Sequence, residues 1–250
     1  MRRLLPILAL LCFALPAYAT AGAPPVQTCV NRAGAATTIT CTFGVNFTVG
    51  NLVAVIFHEN TNATATVTSV IATGCTSTTF AVTTHSPAVY STVMQAWAYM
   101  APNSGGGCKV ITVTFNGSVT AGIMGVEYSG MATSSPVDCD AAANGIEVSG
   151  VYTSGSCSTS NANDTVFIGF SINADPSPST AGGSYAKVVD ESTGGTFWGT
   201  SENLNVTSTG SKSGTMSALD NAAHFAAMLV AIKQAGGGGV VRHRASVINQ

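Results

Sequence analysis

Charge is what this chain has least of. Asp, Glu, Lys and Arg make up 8% of its 250 residues, against roughly 25% in an average soluble protein. Nucleic-acid binding by phosphate contact needs a clustered basic surface, and this composition excludes one. No apolar run after the first nineteen residues reaches the roughly 18 residues of a membrane-spanning helix. Several catalytic signatures are missing too. No G-x-S-x-G pentapeptide marks a serine hydrolase elbow, and Gly210-Ser211-Lys212-Ser213-Gly214 has the wrong spacing and reads as a turn. No H-E-x-x-H marks a zinc site, and no C-x-x-C marks a redox or metal site. The adjacent His58-Glu59 pair reads as a strand end meeting solvent.

What is present starts at the N-terminus. Arg2 and Arg3 precede an apolar run from Leu4 to Leu15, closed by Ala17-Tyr18-Ala19. A basic segment, a short apolar segment and an A-x-A site predict a secretory signal peptide over residues 1–19. Without it seven Lys and Arg face eleven Asp and Glu, a net charge near −4. The expected location is therefore extracellular or periplasmic. The polar surface must come from Thr, Ser, Asn and Gly.

Of seven cysteines, Cys12 leaves with the leader, and Cys29, Cys41, Cys75, Cys108, Cys139 and Cys157 remain. An even number in an exported chain predicts disulfides, with fifteen possible pairings. Spacing favours neighbours. Cys29 and Cys41 sit in the first two expected strands, a short hairpin apart. Cys139 and Cys157 bracket a Gly/Ser-rich excursion, which leaves Cys75 with Cys108.

The dominant hydrophobic period is two. Ile111, Val113 and Phe115 alternate with Thr112 and Thr114, a half-buried strand with a threonine face. Leu52 to Phe57 and Thr165 to Ser171 are apolar on both faces and read as central strands. Further strands are expected near 26–31, 37–43, 78–83, 91–100, 121–128, 185–190, 196–201 and 212–218, with turn clusters such as Asn103 to Gly107 and Asn116-Gly117-Ser118 between them. The segment Asn221–Ala235 is Ala-rich and has helix propensity. Yet Phe225, Ala227, Leu229 and Ala231 alternate with Ala226, Met228, Val230 and Ile232, so it reads as a strand buried on both sides. Many short strands with frequent turns predict an all-β, two-sheet antiparallel sandwich, jelly-roll-like or immunoglobulin-like, stapled by disulfides. The expected organisation is a leader at 1–19, one domain at 20–235, and a glycine linker with a basic tail at 236–250.

Gly50-Asn51-Leu52-Val53-Ala54-Val55, Ala65 to Val70, Val110 to Gly117, Val126-Glu127-Tyr128-Ser129-Gly130 and Ser135-Pro136-Val137-Asp138 occur in this order. Together they resemble a group of secreted bacterial β-sandwich domains with a GNLLVVAV…VTSVTD…TVTVTFSG…LEYSG…NPLD pattern, over roughly residues 26–234. The resemblance implies a sandwich at or outside the cell surface and no catalytic residues. The chain departs from the pattern at Ile71 to Cys75, where an Asp-Gly or Asp-Asn turn is usual.

Three functional readings follow. A non-catalytic extracellular or cell-surface structural and adhesive module needs no site; its partner is a neighbouring subunit or a surface glycan. A carbohydrate-binding module needs exposed aromatics, and Trp198, Phe197, Tyr185 and Tyr152 are the candidates, against a role for Trp97 and Trp198 as core anchors. A polysaccharide-cleaving enzyme, the most remote, needs two facing carboxylates, whereas Glu127 stands alone on its strand. No cofactor is expected except calcium, for which Asp138, Asp140 and Glu147 are the candidate ligands.

Overall fold

The computed structural model describes residues 25–61, 64–75, 77–174, 178–191, 198–218 and 223–236. The expected leader and most of the tail lie outside them. The strands are β1 (Gln27–Thr42), β2 (Leu52–Glu59), β3 (Val67–Thr73), β4 (Ala81–Val82), β5 (Ala88–Tyr90), β6 (Met94–Ala101), β7 (Val110–Tyr128), β8 (Val137–Glu147) and β9 (Val151–Thr153). They continue with β10 (Cys157–Thr159), β11 (Asp164–Ile172), β12 (Thr180–Ala181), β13 (Ala186–Asp190), β14 (Trp198–Val206), β15 (Gly210–Lys212), β16 (Thr215–Ser217) and β17 (Ala223–Lys233).

The protein is all-β and antiparallel. One sheet has the order β1-β7-β2-β6-β4, with β3 also on β7 and β5 also on β6. The other has the order β13-β14-β11-β17-β8, and two small sheets, β12-β16-β9 and β10-β15, accompany it. The Ala-rich segment is strand β17, as its two-sided apolar pattern predicts, because both its faces are covered. Tertiary burial overrides the local helix propensity of alanine.

Residues 26–31 and 37–43 are one strand rather than a hairpin. The expected strands at 109–115 and 121–128 are likewise one, β7. The β1–β7 ribbon is continuous but bent. Its register slips between Ala33 and Ala36 and again between Ala36 and Thr38, opposite the Asn116-Gly117-Ser118 cluster that resembles a turn. Bulges bend a strand and raise its twist. Beyond the corner β7 changes neighbour, pairing β3 through Val110 to Phe115 and β2 through Ala121 to Tyr128. The ribbon folds back on itself, so Cys29 and Cys41 meet across the bend with Cα atoms 5.7 Å apart. The other two bridges are Cys75–Cys108 and Cys139–Cys157, which completes the pairing that spacing favours.

Strand alternation then builds three cores. Val53, Val55 and Phe57 of β2 face the folded-back arm and pack with Ile39, Ile111, Val113 and Phe115. Leu52, Ala54 and Ile56 face the second sheet and pack with Phe167, Met228 and Val230. The outer face of that sheet, Val166, Ile168, Phe170 and Leu229, packs under Tyr152 of β9 and Met216 of β16. Each central sheet is therefore buried on both sides.

Candidate functional site

The even-numbered face of β2 continues past Ile56 to His58, which is fully buried between the two sheets. The Oγ of Ser171 on β11 lies 2.6 Å from His58 Nδ1. Glu191 follows β13 and is anchored by its N–H donating to Gly199 O at 2.9 Å. Its two carboxylate oxygens lie 3.1 and 3.0 Å from His58 Nε2. With the ring proton on Nε2 directed at Glu191, Nδ1 accepts from the Ser171 hydroxyl; this tautomer satisfies both contacts.

Two glycines make room for the trio. A Cβ on Gly122 would lie 2.2 Å from both His58 Nε2 and Glu191 Oε1, and one on Gly199 would lie 2.8 Å from His58 Nε2. Serine, histidine and carboxylate in a chain is also the order of a hydrolase triad. Here Ser171 is 1% exposed, His58 0% and Glu191 4%. A nucleophile must reach its substrate, and in this arrangement all three side chains are buried and hydrogen-bonded to one another between the sheets. Burial corrects the expectation that His58-Glu59 is a strand end in water. Glu59 is fully buried as well and accepts from Thr61 N at 2.9 Å and Gln95 Nε2 at 3.4 Å.

Glu127 and the calcium candidates sit in separate hydrogen-bond networks. Glu127 is held by amides: it accepts from Gln27 Nε2, from Thr48 N at 2.8 Å and from Asn51 Nδ2 at 2.7 Å. The three calcium candidates are separate. A bulge between Val137 and Cys139 puts Asp138 out of the regular alternation, and Asp138 accepts from Ser160 and Asn161. Asp140 accepts the His85 backbone N–H at 2.6 Å, in a groove of about 470 Å³ that Thr84, Ala142, Ser156 and the Cys139–Cys157 bridge also line. Glu147 is bound up in its own turn with Ser149. Among the described residues no group of three or more His, Cys, Asp or Glu side chains could hold a metal ion.

Two buried carboxyls face the third core. Burial pushes Asp164 up to about 7, and the nearby charge of Asp138 adds to this. Burial works against the charge of Asp138 as well. Its hydrogen bonds from Ser160 and Asn161 outweigh burial and hold it below its ordinary value. Asp138 therefore keeps the charge and Asp164 the proton. Burial raises Glu202 to about 8, and the Gly182 N–H, already donated to Thr215 O at 2.6 Å, offsets this only in part.

The aromatic candidates are not an exposed platform. Trp198 and Tyr152 are buried, and Tyr152 meets Phe225 edge-on at 5.5 Å. Trp198 is thus the core anchor. Tyr185 is half-buried, and burial, then the charge of Glu202, raises its hydroxyl above the usual tyrosine value. Phe197 lies outside the described residues. Sequence reasoning missed Ser171 and Glu191. Ser171 has one signal, a polar residue near the end of a strand otherwise apolar on both faces, whereas Glu191 follows a strand that already carries Lys187 and Asp190 and has none.

Among the described residues no helix is long and apolar enough to cross a membrane. Compared with models of known protein families, with curated proteins and with solved structures, the chain matches none.

Proposed function

We propose that the protein is a secreted, non-catalytic structural and adhesive module of the extracellular space or cell surface. The observation that carries this reading is the placement of the three disulfides. Two, Cys29–Cys41 and Cys75–Cys108, tie the walls of the first core, and Cys139–Cys157 ties β8 to β10 at the opposite side of the stack. The loops they close span 12, 33 and 18 residues, for which chain-entropy arguments give about 3–4 kcal/mol each. Such bridges persist in oxidising compartments, and the basic-apolar-A-x-A segment at residues 1–19 supplies a route there. A small charge complement and a threonine-rich exterior suit contact with neutral surfaces.

Fractionation of producing cells tests the proposal. The full chain is expected outside the cytoplasmic membrane, with all six cysteines protected from alkylation. Recovery from the cytosol with free thiols would overturn it. Cells lacking the protein are expected to attach less well to surfaces; unchanged attachment removes the adhesive part.

A further inference from the structure

Strand β6 turns Met94, Ala96, Ala98 and Met100 toward the second sheet, and its alternate residues Gln95, Trp97 and Tyr99 toward the other side. There they line a groove of about 250 Å³ with Thr66 and Val67 on one wall and Val82, Ser86 and Pro87 on the other. The aromatic floor is fixed from below. Phe57 stacks on Trp97 at 5.4 Å with a 20° interplanar angle, and on Tyr99 at 5.5 Å with 27°. Phe115 meets Phe57 edge-on at 6.1 Å. Trp97 is only 4% exposed, so Tyr99 is the ring that opens to the groove, and a ring held this way is preorganised for a ligand.

The polar groups are fixed too. Gln95 Nε2 donates to Ala65 O at 3.1 Å, and Ser86 Oγ accepts from Ala98 N at 2.8 Å. Tyr99 is half-buried, and burial raises its hydroxyl, which keeps it a neutral donor and acceptor.

Two properties select the ligand class. No lining residue carries a charge, so the groove offers no ion pair to a phosphate, a carboxylate or a cation. Its volume lies just under the roughly 300–1,000 Å³ of drug-sized sites, which suits one ring. The remaining complement is a ring with an apolar face for the aromatics and hydroxyls for the rim. We propose that this groove binds a neutral pyranose unit, the end or a single residue of a glycan. The proposal rests on the groove alone. It survives if the protein proves not to be adhesive, and its failure leaves the structural reading intact.

The experiment uses the disulfide-bonded chain without residues 1–19. Methyl glucopyranoside, methyl galactopyranoside, methyl mannopyranoside and N-acetylglucosamine are titrated in turn, with saturation-transfer and chemical-shift NMR as readouts. At least one sugar is expected to bind saturably in the millimolar range, with shifts confined to Gln95, Trp97, Tyr99 and their groove neighbours. Val82 is 52% exposed, so Val82→Trp is expected to fill the groove mouth and abolish binding with the melting temperature unchanged. Tyr99→Ala is expected to weaken binding about tenfold, the loss of one ring contact. Failure of all four sugars to saturate, shifts that map elsewhere, or full binding by Val82→Trp would each overturn the proposal.

Discussion

The two faces of β2 bury the same strand in two different ways. On one, Val53, Val55 and Phe57 meet an apolar interior, with Phe57 among Trp97, Tyr99 and Phe115. A folded ribbon closed by Cys29–Cys41 covers that side. On the other, Leu52, Ala54 and Ile56 pack on Phe167 and on the alanines and methionines of β17, and the contact ends in His58, Ser171 and Glu191. Ring burial is non-directional and tolerates rotation, whereas hydrogen bonds at 2.6 to 3.1 Å fix one register. The aromatic face supplies stability, and the polar face decides how two sheets of small side chains align.

The strongest break of this comparison pairs Phe57→Ala with His58→Ala. Phe57→Ala is expected to cost about 3–5 kcal/mol in urea unfolding, from lost transfer and a residual cavity. No second substitution nearby restores it, since the cavity stays. His58→Ala is expected to cost about 3 kcal/mol, because Glu191 loses its partner in a buried place. Here the cost is recoverable: His58→Leu combined with Glu191→Leu is expected to approach wild-type stability, since apolar replacement of a buried polar pair is often neutral. A double-mutant cycle measures this coupling. Near-additive losses at His58 and Glu191 would show that the two faces do not differ in kind.

A second contrast separates carboxyls within the same molecule. Glu127 and Glu191 lie between or beside the first two cores with full hydrogen-bond partners, while Asp164 and Glu202 face the third core raised to about 7 and about 8. Both raised groups hold their proton more tightly folded than unfolded. Their contribution is therefore complete below the ordinary values of 3.8 and 4.5, and is lost as pH climbs to about 7 and about 8. Stability is expected to fall from about pH 4 to about pH 9 by a few kcal/mol. Asp138, held below its ordinary value, opposes this only in stronger acid. Asp164→Asn and Glu202→Gln are expected each to recover about 1–3 kcal/mol near pH 8 and to flatten the profile. A profile unchanged in both variants would mean that these carboxyls are charged and solvated in the folded state.

What sequence could show divides along the same line. Two-sided apolar strands at Leu52 to Phe57, Thr165 to Ser171 and Phe225 to Ile232 are legible, because alternation records burial directly. So is the disulfide pairing, because each bridge joins neighbours in order. The corner in the β1–β7 ribbon is not, since Asn116-Gly117-Ser118 carries the same local chemistry whether a chain turns back or merely bends. The polar trio is harder still. His58 finds partners 113 and 133 residues away, and the space it occupies is written only as two glycines, Gly122 and Gly199. Burial likewise reassigns Trp198 and Tyr152 from ligand contacts to core, a distinction that composition cannot make for an aromatic residue.

The smallest break tests whether polar registration extends along the whole sheet interface. Tyr128 ends β7 on the face toward the second sheet, its ring 6.2 Å from that of Phe167 and its hydroxyl accepting from Asn203 Nδ2 at 3.1 Å. Burial raises that hydroxyl above the usual tyrosine value, so it stays protonated at any ordinary pH. Tyr128→Phe keeps the ring and removes one hydrogen bond, which is expected to cost about 0.5–1.5 kcal/mol. Hydrogen exchange separates the two meanings of such a loss. If the hydroxyl helps register the sheets, amides of β11 and β14 near Asn203 exchange faster in Tyr128→Phe, while those of β3 beyond the first apolar core do not. Uniform acceleration across both would reduce Tyr128 to one more stabilising contact and confine the registering role to His58, Ser171 and Glu191.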